Sequence, residues 1–234
     1  MKPETRFMHE FKNIKFQIQD RVARITLARP PLNVLNIAMM RELNFVLNEC
    51  AQQRALAAIV FDAAEDTRAF SAGVAVEEHV PATVFQMLDS FHTIFRTLHQ
   101  IAKPTIAVVN GPALGGGCEL VCACDLVIAS EQSRFGQPEI KLGVFPPIAA
   151  ILLPRIIGER KARELILTGD LIEADEALRL GLVNYVVAVG ELKAKTESVL
   201  SQLRELSAAG LGMTRMALDI GGQLGFESAL TNVE

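Results

Sequence analysis

The stretch "TIAVVNGPALGGGCEL", residues 105–120, decides the fold. Its first part, Thr105 to Asn110, is a short apolar run with β-branched residues, which predicts a buried strand. Gly111 and Pro112 break the run, and "GGGCELVCAC" (115–124) opens a helix, so the segment reads as strand, glycine turn, helix. Glycines permit positive φ and let another group approach the backbone closely. The first N–H groups of a helix have no partners within it, and the local dipole favours negative charge. The turn is therefore a candidate anion cradle. It lacks the Lys-Ser/Thr of a P-loop and the third glycine of a dinucleotide fingerprint. An oxyanion formed during a reaction fits it better than a phosphate.

The flanking sequence repeats the rhythm. "RVARITLARP" (21–30), "LAAIVFDA" (56–63), "DLVIAS" (125–130) and "LVNYVVA" (182–188) predict further strands. Helical spacing marks 37–53, 81–102, 162–169 and 173–181, and from Glu191 onward the chain reads as helical and more polar. In the second helix Val84, Met87, Leu88, Phe91, Ile94, Phe95 and Leu98 share one face, which is read as core. Short buried strands alternating with helices, with no domain-scale linker, predict an α/β fold with parallel strands covered on both faces. In such folds function gathers at the carboxyl ends of strands. The glycine turn has that position, and so does "FSAGVAVEEH" (70–79).

Composition narrows the function classes. Half of the 234 residues are hydrophobic and 21% are charged, as in a globular protein. A net charge of −4 and a pI near 5.7 leave no electrostatic footprint for nucleic acid or for an anionic membrane surface. The start "MKPETRFMHEFKN" lacks the apolar centre of a secretory signal, and no window has the apolar length of a membrane span. Cytoplasm is the default compartment. Cys118, Cys122 and Cys124 have no zinc spacing and, with Cys50, read as buried reduced thiols, so no metal is expected.

Two carboxylates stand beside the cradle in sequence. Glu119 lies in the first turn of the helix, where the dipole alone accounts for it. In "RFGQPEIKLG" (134–143), Glu139 follows Pro138 in a loop-like segment bounded by glycines. Two such groups near an oxyanion cradle suit one shared water, one accepting a proton and the other donating one.

These residues resemble the enoyl-CoA hydratase/isomerase family, also called the crotonase family. The matching segments are "ARITLARPPLNVLN", "AFSAGVAVEEH", "KPTIAVVNGPALGGGCELVCACDLVIASEQSRFGQPEIKLGVFP" and "LTGDLIEADEALRLGLVNYVV", which cover most of residues 20–190 in family order. The resemblance implies a crotonase-like spiral of ββα units over residues 1–190 and a C-terminal helical trimerisation region over 191–234. The chain ends at "ESALTNVE", earlier than the family's C-terminal helices normally do, which implies a short or truncated region. The implied partner is an acyl-CoA thioester, in a homotrimer or a hexamer, with coenzyme A as part of the substrate and no other cofactor. The implied oxyanion donors are the N–H groups of Val74 and Gly116. Glu119 and Glu139 match the catalytic pair that hydratases of the family use to add water to a conjugated C=C. Ala72, Gly73, Gly115, Gly117, Pro138, Phe145, Pro147 and Ile148 are expected to line the substrate.

The sequence also departs from the family. Ala75 and Glu77 stand where Asp and Lys are common, and Pro147, Ile148, Ala149 and Ala150 replace small, polar and glycine residues. This wall reads as tight and apolar. Within the family the chain is most like the cyclohexa-1,5-dienecarbonyl-CoA hydratases. An isomerase, a ring-opening acyl-CoA hydrolase and a non-catalytic CoA-binding scaffold are the alternatives. His79, His92 and Glu77 are read as surface or helix residues.

Overall fold

The computed structural model describes residues 10–222, 224 and 226–233. The first nine residues, the polar start of the chain, lie outside these. In chain order the elements are β1 (Ile14–Gln19), β2 (Val22–Leu27), α1 (Ile37–Gln52), β3 (Ala58–Ala63), α2 (Val84–Gln100), β4 (Thr105–Val109), β5 (Pro112–Leu114), α3 (Gly116–Cys122), β6 (Leu126–Ser130) and β7 (Arg134–Gly136). There follow α4 (Pro147–Ile157), α5 (Glu159–Thr168), β8 (Leu171–Glu173), α6 (Ala174–Arg179), β9 (Tyr185–Val187), α7 (Leu192–Arg204), α8 (Ala208–Gly221) and α9 (Phe226–Val233).

The strands form two layers. One sheet runs β1-β2-β3-β4-β6-β9, the other β5-β7-β8. From β2 to β9 the first sheet is parallel, as the buried apolar runs predict, while β1 pairs antiparallel with β2 as its edge. Both faces are covered. Ile25, Phe61, Ala107 and Ala129 join the main core, whereas Val22, Val60, Val108 and Ile128 pack with Leu192, Val199 and Leu200 of α7. Fully burying one such side chain contributes roughly 1.5–3 kcal/mol.

The second layer explains the winding. Single parallel bridges, Leu35 to Val74 and Ser71 to Ala113, extend β5 sideways into two preceding loops. Each turn of the chain therefore gives a strand to the first sheet, an extended segment to the second layer, and then a helix. The four turns are β2, Leu35, α1; β3, Ser71–Val74, α2; β4, β5, α3; and β6, β7, α4. This is the expected ββα spiral. Its consequence for function is positional: the segments leaving the second layer at Val74, Gly115 and Gln137 emerge side by side.

Local sequence sets the helix starts. Asn36 caps α1, its side chain accepting from Met39 N at 2.9 Å. Its buried face is Ile37, Met39, Met40, Leu43, Val46, Leu47 and Cys50. In α2 the predicted stripe is the packed face, with Val84 and Leu88 at its partly buried margins. Gly169 closes α5 at φ 68°, a left-handed cap that glycine adopts freely. Glu139 lies in a 3-10 turn, Pro138–Leu142, instead of an open loop. Gly143 ends that turn at φ 76°.

Candidate active site

The glycines of 111–117 flank β5, which lies between the Ser71 segment and β7, and they have packing reasons. Gly115 adopts φ 51° and ψ −126°, a backbone conformation strained for any other residue. A Cβ there would lie 2.6 Å from Glu139 Oε1, so the Glu139 carboxylate rests directly on Gly115. A Cβ on Gly116 would meet Val74 Cγ2 at 2.8 Å and Phe91 Cζ at 3.0 Å. At Gly117 the space is occupied by Ser71, whose carbonyl oxygen would be 2.5 Å from an added Cβ. Here the missing side chain admits the protein's own backbone.

Val74 and Gly116 both present an open amide. In the parallel bridge to Leu35, Leu35 N donates to Gly73 O at 2.8 Å and Ala75 N donates to Leu35 O at 3.0 Å. Val74's own N–H must then point away from Leu35. Gly116 is the first residue of α3, where a helix supplies no acceptor. Among the described residues nothing accepts from either N–H. The two segments touch: a Cβ on Gly73 would stand 3.4 Å from Gly116 N. Ala72 is tied alongside by its N–H to Leu32 O at 2.9 Å.

Glu119, one turn into α3, is only 2% exposed. Its Oε1 accepts from Ile148 N and Ala149 N, each at 2.8 Å, in the first turn of α4. Pro147 occupies the first position of that helix, where a missing N–H costs nothing. Burial pushes the Glu119 carboxyl up to about 7; the Ala149 and Ile148 amides oppose the rise and the nearby Glu139 charge adds to it. Glu139 is also raised, by burial, against the pull of its own backbone N–H. Both carboxylates adjoin the start of α3: Glu139 rests on Gly115, and Glu119 lies in the helix whose first residue, Gly116, carries an open N–H.

Sequence reasoning missed several supporting groups. Gln137 is fully buried; with its amide oriented to satisfy both ends, Nε2 donates to Glu139 Oε2 at 3.2 Å and Oε1 at 3.3 Å. A polar residue between buried Gly136 and Pro138 was the available signal. Phe91 looked like plain core, yet it backs Gly116. The expected wall of Pro147, Ile148, Ala149 and Ala150 is divided: Ala149 is fully buried with its amide on Glu119, while Ala150 is exposed and lines a separate cleft with Ile151 and Arg155. Phe145, expected to line the substrate, is 72% exposed. Ile148 gives its amide to Glu119 but lines a separate cleft of about 420 Å³ with Phe95, Leu98 and Cys122. Ala75, in place of the common Asp, is buried and serves the Leu35 bridge, and Glu77 and His79 are exposed.

The two-layer ββα spiral, with its glycine turn and two raised carboxyls, can be set beside known proteins. The family described as enoyl-CoA hydratase/isomerase matches residues 17–223. The chain belongs to that family, with the crotonase fold. The short-chain-enoyl-CoA hydratase of Clostridium acetobutylicum is 35% identical over 228 residues, 94% of this chain and 86% of that protein. The cyclohexa-1,5-dienecarbonyl-CoA hydratase of Thauera aromatica is 38% identical over 171 residues, 73% of this chain and 66% of that protein. The crystal structure of an enoyl-CoA hydratase from Bacillus anthracis superposes with a TM-score of 0.89 at 31% identity, covering 94% and 87% of the two chains. No helix among the described residues is long and apolar enough to cross a membrane.

Proposed function

We propose that this protein is a hydro-lyase that adds water to a C=C conjugated with a CoA thioester. The observation that carries the reading is the pair Glu119 and Glu139 beside the open amides of Val74 and Gly116. The thioester oxygen accepts both N–H groups and gains charge as the enolate forms, so the donors bind the transition state more strongly than the ground state. One such donor is typically worth ~2.7–4 kcal/mol. One glutamate takes the proton of the attacking water while the other, as the acid, protonates the enolate carbon. Raised pKa values let the pair hold one proton near neutral pH. The hydration leaves oxidation state unchanged overall, so the scheme needs no redox cofactor.

The substrate we propose is a cyclic dienoyl-CoA. The likeness to the Thauera aromatica protein supports it, as does the apolar rim of Ile140, Leu142, Val144 and Phe145. Ala72, Gly73, Gly115 and Pro138 would border the thioester, and Phe145 and Pro147 the acyl group. A homotrimer or hexamer in the cytoplasm completes the proposal. Met213 and Leu218 of α8, both 72% exposed, give it an apolar surface for self-association, and four free thiols suit a reducing compartment.

The test is turnover of cyclic dienoyl-CoA and crotonyl-CoA by the parent, Glu119→Gln and Glu139→Gln proteins. We expect hydration by the parent and a large loss of kcat in both variants. Full activity in either variant would remove that glutamate from the chemistry. Much more efficient hydration of crotonyl-CoA would reject the cyclic substrate. Tight binding of CoA esters with no turnover of either would leave a scaffold.

A further inference from the structure

Upstream of Val74 the chain is fastened by Ala72 N to Leu32 O and by the Ser71–Ala113 bridge; its downstream side has less support. The Val74 segment meets the 35–37 segment through one bridge, made by two backbone hydrogen bonds. After it the chain makes a 3-10 turn, Val76–Glu78, and then runs exposed through His79, Val80 and Pro81. Between the bridge and that exposed run, among the described residues, one more hydrogen bond ties the segment to α1. The Glu78 carboxylate reaches across to α1, and its Oε2 accepts from Ile37 N at 2.8 Å. Ile37 is the first residue of α1, so its N–H has no acceptor inside the helix, and the helix dipole favours a negative partner. The turn is closed on itself as well, with Glu78 N donating to Ala75 O at 3.2 Å. Glu78 thus clamps the segment that orients Val74 onto the rigid start of a 16-residue helix.

We infer that Glu78 is a positioning residue for the Val74 N–H, holding one of the two oxyanion donors in line through its bond to Ile37. This rests on the oxyanion reading above. Glu78 touches no reacting atom. Donor groups must be held to within about 0.5 Å to work, and a short bridge without its outer tie lacks that restraint. Neighbouring Glu77 does not share the task, because it is exposed.

The same helix supplies the control. Asn36 also caps α1, through Met39 N, but makes no bond to residues 73–78 among those described. Loss of either cap weakens the start of α1; only loss of Glu78 releases the Val74 segment. The experiment compares Glu78→Ala, Glu78→Gln and Asn36→Ala in the full chain. It reads kcat and KM for hydration, and the infrared stretch of the isotope-labelled thioester carbonyl of bound butyryl-CoA. In Glu78→Ala we expect kcat to fall by about 10- to 100-fold, KM to move far less, and the carbonyl red shift to shrink. Glu78→Gln, whose amide oxygen still accepts from Ile37, should restore most of both. Asn36→Ala should keep the parent's carbonyl shift. Glu78→Asp keeps the charge but loses the reach, and should behave as Glu78→Ala does; it carries the test if the alanine variant does not fold. An unchanged carbonyl shift in Glu78→Ala or Glu78→Asp overturns the inference, and so does an equal loss in Asn36→Ala. Absence of any red shift in the parent protein would instead reject the oxyanion hole itself.

Discussion

Replacing Glu119 by glutamine separates the charge of this group from its hydrogen bonds. The glutamine carbonyl can still accept from Ile148 and Ala149, so the start of α4 keeps its cap. The titration is lost. In the folded chain the carboxyl is raised from 4.5 to about 7, chiefly by burial. A group that holds its proton more tightly when folded contributes stability at low pH. The contribution is complete below the unfolded pKa and disappears as pH rises through the folded one. The window is therefore 4.5 to about 7. At about 1.4 kcal/mol per tenfold change, the difference between 4.5 and about 7 corresponds to about 3.5 kcal/mol. Urea unfolding of both proteins, at one protein concentration and at about pH 5 and about pH 8, reads the effect. Relative to Glu119→Gln, the parent should lose roughly 2–3 kcal/mol between those two conditions. A difference between the two proteins that is independent of pH, or that favours the parent at high pH, would refute the claim that burial controls this carboxyl.

Three other outcomes follow from particular contacts. Gly115→Ala places a Cβ 2.6 Å from Glu139 Oε1 at a positive φ; hydration kcat should fall on the order of 100-fold through displacement of the carboxylate, and steady-state turnover near the parent's would contradict the packing. Gly117→Ala drives a methyl group against the Ser71 carbonyl, 2.5 Å away; it should cost about 1–3 kcal/mol in denaturant unfolding, and an unshifted midpoint would count against it. Arg215 of α8 donates to Asp125 Oδ2 at 2.8 Å and to the carbonyls of Leu98 and Ile101 at 2.9 Å each. Arg215→Ala should destabilise by roughly 2–3 kcal/mol, because the buried carbonyls of Leu98 and Ile101 lose their donor. Thermal unfolding that matched the parent would show that α8 is fastened by other contacts.

Much of the architecture is legible one segment at a time. β-branched apolar runs mark the strands of the first sheet, and the 3.6-residue stripe marks α1 and α2, because each signal repeats within a single element. The three-residue strands β5, β7 and β8 carry no such signal, being too short for a period to show. β1 is not among the predicted strands, although Ile14, Phe16 and Ile18 alternate there, and its antiparallel pairing with β2 rests on the tight turn between them.

At the site, the sequence by itself determined which residue types stand where: three glycines before a helix, a glutamate one turn on, and a second after Gln137 and Pro138. Only the tertiary structure decided what each of them faces. That the Glu139 carboxylate lies on Gly115, that Glu119 is capped by a helix starting 28 residues later, and that Ser71 fills the space at Gly117 all depend on how successive turns of the spiral stack. The physical reason is that an open N–H or a raised carboxyl is defined by its surroundings. Those surroundings come from other turns of the chain, so no local pattern can encode them.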